Sequence, residues 1–299
     1  MIPIKEILSK ITYTKFFGDI NSFVKTPTIL NIENNNPHAL MWASEKNIAR
    51  VKGIEYGTVV CSKAFSEFRP SCNYIICANP RLTFQEVLAN FFVEEDEPHI
   101  SSDASIHPTV KIGKNVSLGN NVIVEKNCLI GDGVKIDHNT VIKQGTEIYS
   151  NVKIGSNCTI GGVGFGYELN EQNKYVLIPH LGNVILKEHV EIGNNACIDR
   201  AVLGSTILEE NVKVDNLVHI AHGVIIGKNS LIIANSMIGG STTIGENVWV
   251  APSVSILNKK TIANNSYIGM GSVVIKNVEA NEIIVGNPGK VLIKSEKKS

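Results

Sequence analysis

Charge is sparse in this 299-residue chain, at 19%, and it is balanced, with 28 Lys and Arg against 28 Asp and Glu. A chain without net charge has no global field to draw in DNA, RNA or an anionic membrane, so nucleic acid is not an expected partner. No apolar run approaches the ~18 residues of a membrane span. The opening MIPIKEILSKITYTKFF breaks its apolar residues with Lys and has no small-residue cleavage site. These absences argue against a transmembrane segment and a secretory signal, and the expectation is a soluble cytoplasmic protein. CxxC pairs are missing too. Cys61, Cys72, Cys77, Cys128, Cys158 and Cys197 are scattered, a pattern of reduced, packed thiols rather than a disulfide framework or zinc knuckle, and no metal is expected. What the chain does have is 43% hydrophobic residues, enough to bury a core.

Those residues recur with a period of six. Ile106, Ile112, Leu118, Val124, Ile130, Ile136, Ile142, Ile148, Ile154 and Ile160 stand in register; the beat resumes at Leu186, Ile192 and Ile198, slips by four, and runs from Leu208 to Val274 without a miss. An amphipathic helix repeats at three and four and a lone strand at two, so neither fits. A period of six is the mark of a parallel β-helix. Two positions earlier sits a small or β-branched residue, such as Val116, Cys128 or Thr140, and Gly or Asn often fills the corner between, as in IGKN and LGNN. With three hexapeptides per triangular coil, the beats make about eight coils; at ~4.8 Å each, the prism is about 40 Å long.

Residues 1–102 lack the beat. GTVVCS and NYIICANP read as strands, and RLTFQEVLANFF as a helix with Leu82, Val87, Leu88 and Phe91 on its apolar face. The expected organisation is a small α/β domain over 1–102, a β-helix over 103–285, and a cap and tail over 286–299.

A solenoid's regular faces are scaffold, so function is expected where the repeat is broken. One break is GGVGFGYELNEQNKYVLIPHLGN, which must leave the prism as a loop over 161–185. Gly161, Gly162, Gly164 and Gly166 suit close backbone approach, and Phe165 and Tyr167 suit an apolar or ring-shaped ligand. Another is the slip CIDRAVLGSTI, where Asp199 and Arg200 are expected to form a local ion pair. A third is KVDNLVHIAHGVIIGKN. With Ile220 on the inward beat, His219 and His222 point outward or to a corner, and Asp215 and Asn216 stand close in sequence. Eighteen residues beyond His222 comes Gly240, which puts its N–H about one strand spacing from the imidazole. A base beside an oxyanion donor is what acyl transfer needs. His219 keeps a structural reading, with a supporting hydrogen bond.

The ordered set NPRLTF, GFGY, IPHLGNVIL, IDRAVLGST, VDNLVHIAHGVIIG and IGGSTTIG, over residues 78–274, resembles the hexapeptide-repeat acyltransferases with a left-handed parallel β-helix, and within them the UDP-3-O-acylglucosamine N-acyltransferases of lipid A synthesis. The resemblance implies His222 as general base, Gly240 N–H as oxyanion donor, Asp215 and Asn216 along the sugar site, and a homotrimer with active sites between prisms. It also implies a nucleotide grip in the N-terminal domain, where ALMWASEKN offers Trp42 as the stacking aromatic. A second histidine of the family pattern, one or two coils above the base, is absent; Lys259 stands near that position.

The closing IVGNPGKV departs from that subfamily and is similar to the end of CoA-dependent sugar acetyltransferases, with Gly286, Pro288 and Gly289 in a turn and Lys276 and Lys290 placed for CoA phosphates. The expected function is therefore N-acylation of a nucleotide-linked amino sugar for a bacterial surface glycan, with an acyl-CoA co-substrate. The alternative within enzymes is the lipid A reaction itself, using an acyl carrier protein. A non-catalytic scaffold and a zinc hydrolyase remain as other classes; the second would need three converging histidines.

Overall fold

The structure is a computed structural model and describes residues 1–63, 69–94 and 96–292. Its chain divides into two compact units, Met1–Asp96 and Glu97–Ser299. The division falls inside EEDEP, a little before residue 102, because Ile100 already bridges to Leu118 and the His99 carbonyl accepts from Leu118 N at 2.9 Å.

The first unit is a five-stranded sheet in the order Lys15–Phe17, Cys72–Ile76, Gly57–Cys61, Ala39–Trp42, Thr26–Pro27, parallel except at its Lys15–Phe17 edge. Its two central strands are the expected apolar runs, and every residue of both is buried. The helix Pro80–Phe91 starts where Asn79 Oδ1 accepts from Leu82 N at 3.2 Å, with Pro80 supplying a preset φ in its first turn. Its buried face carries Pro80, Thr83 and Val87, while Leu82 is exposed, so the apolar stripe is turned relative to the expected one. Trp42 is half-buried and packs its ring 6.4 Å from Phe84.

The second unit is a parallel β-helix with faces of eight, nine and ten strands, the last strand of the ten, Lys290–Val291, pairing antiparallel. Leu118 pairs with Ile136 and Ile136 with Ile154, one coil apart. Ile148 pairs with Leu186 across the loop, and Leu186 with Leu208 across the four-residue slip, so both interruptions leave the inward beat in register. From Leu118 to Val274 the beat residues are buried in one continuous column that Ile284 extends; the exceptions, Ile106 and Ile112, belong to the opening coil. Interior Thr140 and Thr146 are tolerated because each hydroxyl donates to a carbonyl, Gly155 O at 2.8 Å and Lys143 O at 2.7 Å. Asn fills most left-handed corners, as at Asn115, Asn121 and Asn139 with φ of 55°, 58° and 59°, since its short polar side chain tolerates that conformation.

Five cysteines are buried, and burial pushes the thiols of Cys61 and Cys72 up to about 12 and about 11. Cys197 corrects the expectation of six packed thiols: it is exposed, because strand alternation turns it outward beside inward Ile198. No helix among the described residues is long and apolar enough to cross a membrane.

Candidate active site

Two adjacent coils and the loop that interrupts the repeat meet at His222. The strand His219–Ile220 buries Ile220, and the chain then turns, leaving the His222 ring at a corner on the outer surface, half-buried. One coil on, Gly240 occupies the matching corner. A Cβ on Gly240 would lie 2.8 Å from His222 Nε2 and 2.9 Å from Cε1, closer than side chains pack. Its φ is not positive, so glycine is needed there for space rather than for backbone freedom. The flanking N–H groups are occupied, Gly239 by Ile256 O and Ser241 by His222 O, both at 2.9 Å. The Gly240 N–H has no hydrogen-bond partner among the described residues and is free to donate.

The loop supplies the opposite wall. The strand Thr159–Val163 runs past its coil, Gly164 turns out, and Tyr167–Leu169 pairs with Tyr175–Leu177 as a hairpin. The chain returns through Ile178 to Gly182 and rejoins the prism at Asn183–Leu186. Phe165 and Tyr167 lie 5.0 Å apart, ring centre to ring centre, over a cavity of about 720 Å³ that also meets Gly166, Tyr175, His222 and Lys259. Phe165 is 85% exposed, an apolar ring that this fold leaves in solvent.

His180 also arrives on this loop. It is 8% exposed, its Nδ1 is 2.7 Å from the Ile178 carbonyl, and its ring stands edge-on to His222 with centroids 5.4 Å apart. Nothing in the six-residue beat marks His180; the available signal is that the loop carries a histidine in IPHLGN.

Asp199 and Arg200 do not form the expected ion pair. Neighbours in a strand face opposite ways, so Arg200 turns inward and is buried, donating from Nε to Gly161 O at 2.7 Å and from Nη2 to Gln144 O at 3.2 Å. Asp199 turns outward, and its Oδ2 lies 3.5 Å from His219 Nε2. Burial raises the Asp199 carboxyl, opposed by the nearby His219 and His180. Burial likewise lowers the His222 pKa, helped by His180 and His219, and so favours the neutral ring.

The remaining expected residues lie elsewhere. Asp215 and Asn216 follow a strand of the ten-stranded face, not the nine-stranded face of His219. Asp215 accepts from Asn216 N at 2.7 Å and Ala234 N at 3.2 Å, and Asn216 accepts from Asn194 N at 2.7 Å, so both staple corners of successive coils. Asp215 lines a separate groove of about 500 Å³ with Lys135, Lys153 and Lys213. Trp42 belongs to the first unit. Lys276, Gly286 and Lys290 are exposed, Gly286 and Lys290 in the closing hairpin, where Val285 pairs with Lys290. Among the described residues no three of His, Cys, Asp and Glu converge to hold a metal ion.

The family model for bacterial transferase hexapeptides (six repeats) matches residues 127–162 and 205–240, and the second segment runs through His219 and His222 to end on Gly240. The chain is 39% identical, over 245 residues, to a UDP-3-O-acylglucosamine N-acyltransferase of Campylobacter lari, covering 77% of this chain and 76% of that protein. The chain belongs to the bacterial hexapeptide transferases. This hexapeptide transferase is also 38% identical over 232 residues to UDP-3-O-acylglucosamine N-acyltransferase 1 of Francisella tularensis subsp. holarctica; that match spans 70% of this chain and 64% of that protein's length. Among solved structures, LpxA from Acinetobacter baumannii is similar with a TM-score of 0.59 and 25% identity, covering 64% of this chain and 73% of that one. The UDP-N-acetylglucosamine acyltransferase from Campylobacter jejuni, at 20% identity and a TM-score of 0.60 over 65% and 74% of the two chains, shares the fold.

Proposed function

We propose that this hexapeptide transferase is an N-acyltransferase that moves an acyl group from a thioester to the amine of UDP-3-O-acylglucosamine, as the names of its relatives describe. The observation that carries the reading is the His222–Gly240 pair, a ring nitrogen packed against a glycine whose N–H has no partner among the described residues, at the edge of a cavity with aromatic walls. His222 Nε2 takes a proton from the sugar amine as its nitrogen bonds to the thioester carbonyl carbon. The oxygen of the tetrahedral intermediate accepts a hydrogen bond from Gly240 N–H. The C–S bond then breaks, and the imidazolium returns the proton to the leaving thiolate. A positioned base of this kind contributes about 10²–10⁴-fold.

The relatives' names favour the lipid A substrate over the expectation, drawn from the closing motif, of another nucleotide-linked amino sugar acylated from acyl-CoA. In this reading the donor is an acyl carrier protein and the protein acts as a homotrimer. Purified protein incubated with UDP-3-O-(3-hydroxyacyl)glucosamine, and either acyl carrier protein or CoA carrying one acyl chain, is read by mass spectrometry. A product heavier by that chain, formed with the carrier protein and lost in His222→Ala, supports the reading. Product from CoA alone would reinstate the CoA donor and assign Lys276 and Lys290 to its phosphates. Full activity in His222→Ala would overturn the mechanism.

A further inference from the structure

Among the described residues, two buried ring nitrogens of the site have no hydrogen-bond partner: His180 Nε2 and His222 Nδ1. They belong to rings that stand edge-on with centroids 5.4 Å apart. The two nitrogens do not hydrogen-bond to each other as the rings stand, but two imidazoles joined by one N–H···N bond of ~3 Å keep about this centroid separation, so a small turn of either ring would join them. Gly164 makes the approach feasible, since a Cβ there would lie 3.0 Å from His222 Nδ1 and 3.1 Å from His180 Nε2.

The protonation of His180 follows from its other nitrogen. Nδ1 faces the Ile178 carbonyl, which can only accept, so Nδ1 carries the hydrogen and the neutral ring presents a bare lone pair at Nε2. On His222 the sides are reversed: Nε2 faces Gly240, and Nδ1 faces Gly164 and His180. If His222 carried its hydrogen on Nε2, two lone pairs that water does not reach would be left side by side, and the nitrogen that must accept the substrate's proton would already hold one. Asp199 is not the orienting group, because its carboxylate is directed at His219. The groups that surround His222 are thus His180 from the loop, His219 from its own strand with Asp199 behind it, and Lys259 across the cavity.

We propose that His180 is the positioning residue for the base: its neutral Nε2 accepts the Nδ1–H of His222 and holds the tautomer whose Nε2 lone pair faces Gly240 and the reacting amine. This rests on the acyltransferase reading for its purpose, though not for its geometry. A neutral acceptor orients the ring without the pKa rise that a carboxylate would bring, in keeping with the lowered pKa of His222.

Full-length protein labelled with ¹⁵N-histidine tests this by ring ¹H–¹⁵N correlation at neutral pH, with His222 assigned by the signal lost in His222→Ala. The expected wild-type His222 is the Nδ1–H tautomer. His180→Leu fills similar space without an acceptor and is expected to move His222 toward Nε2–H, lowering kcat by about a hundredfold with little change in the sugar KM. His180→Gln, whose amide oxygen can accept in the same place, is expected to keep the Nδ1–H form and most of kcat. The proposal is overturned by an Nε2–H wild-type ring, by a tautomer unchanged in His180→Leu, or by a Gln variant that loses the Nδ1–H form as Leu does. The tautomer measurement needs no substrate, so it can fail while acyl transfer stands, and a fully active His222→Ala would sink the transfer mechanism while leaving the tautomer result untouched.

Discussion

His222 and Gly240, one coil apart, are so close that the first carbon of a side chain on Gly240 would sit 2.8 Å from His222 Nε2. The proposed base and oxyanion donor are thus set by the stacking of two rungs, which the Ser241 N to His222 O hydrogen bond of 2.9 Å locks together. Gly240→Ala is expected to push the ring out of line and lower kcat by about a hundredfold, the scale of a ~1 Å misplacement. Because the backbone angle there suits any residue, thermal unfolding should stay close to wild type. An alanine variant of normal kcat would contradict the arrangement.

Phe165 separates function from stability. A ring that is 85% exposed contributes little to folding, so Phe165→Ala is expected to leave the melting temperature unchanged. It should raise the KM of the sugar or acyl substrate about three- to tenfold, the worth of one aromatic contact at about 0.5–1.5 kcal/mol. Steady-state kinetics beside a thermal melt checks both halves.

As the proposed base, His222 is expected to set the acid limb of the reaction. Its pKa is pushed below the ordinary value of ~6.5, and the neutral ring is the active form, so kcat/KM should hold its plateau as pH falls to ~6.5 and decline only beneath it. Stability follows the same sign. Between the folded and unfolded values the unfolded chain binds a proton that the native ring does not, so stability falls as pH drops through that window. His222→Asn removes this contribution. Its melting temperature relative to wild type should rise as pH is lowered from about 7 to about 5, and a constant difference would refute the placement.

Leu217 is an exposed, branched residue in the left-handed region, with φ of 60°, where most corners use Asn. Leu217→Asn is expected to stabilise the β-helix by about 1 kcal/mol by relieving that conformation. Denaturant unfolding with an unchanged slope and a higher midpoint would show it.

Asp215 shows the limit of reading a site from sequence proximity: it stands seven residues from His222, yet the coil turns a corner between them and leaves them on different faces. The hexapeptide beat, by contrast, is a direct record of the fold, because every sixth side chain meets the same interior at every corner. The spacing of 18 likewise put Gly240 over His222, since stacking in register turns sequence distance into contact. His180 is different. It comes to His222 by way of a loop whose length and hairpin obey no repeat, and its meaning depends on which ring nitrogen is satisfied. Asp199 and Arg200 part company for a related reason, as strand alternation inside the slip sends one inward and the other to His219. The periodic scaffold, with His222 and Gly240 stacked on it, was therefore determined by the sequence alone; what packs against His222 was decided by the tertiary path of an aperiodic loop.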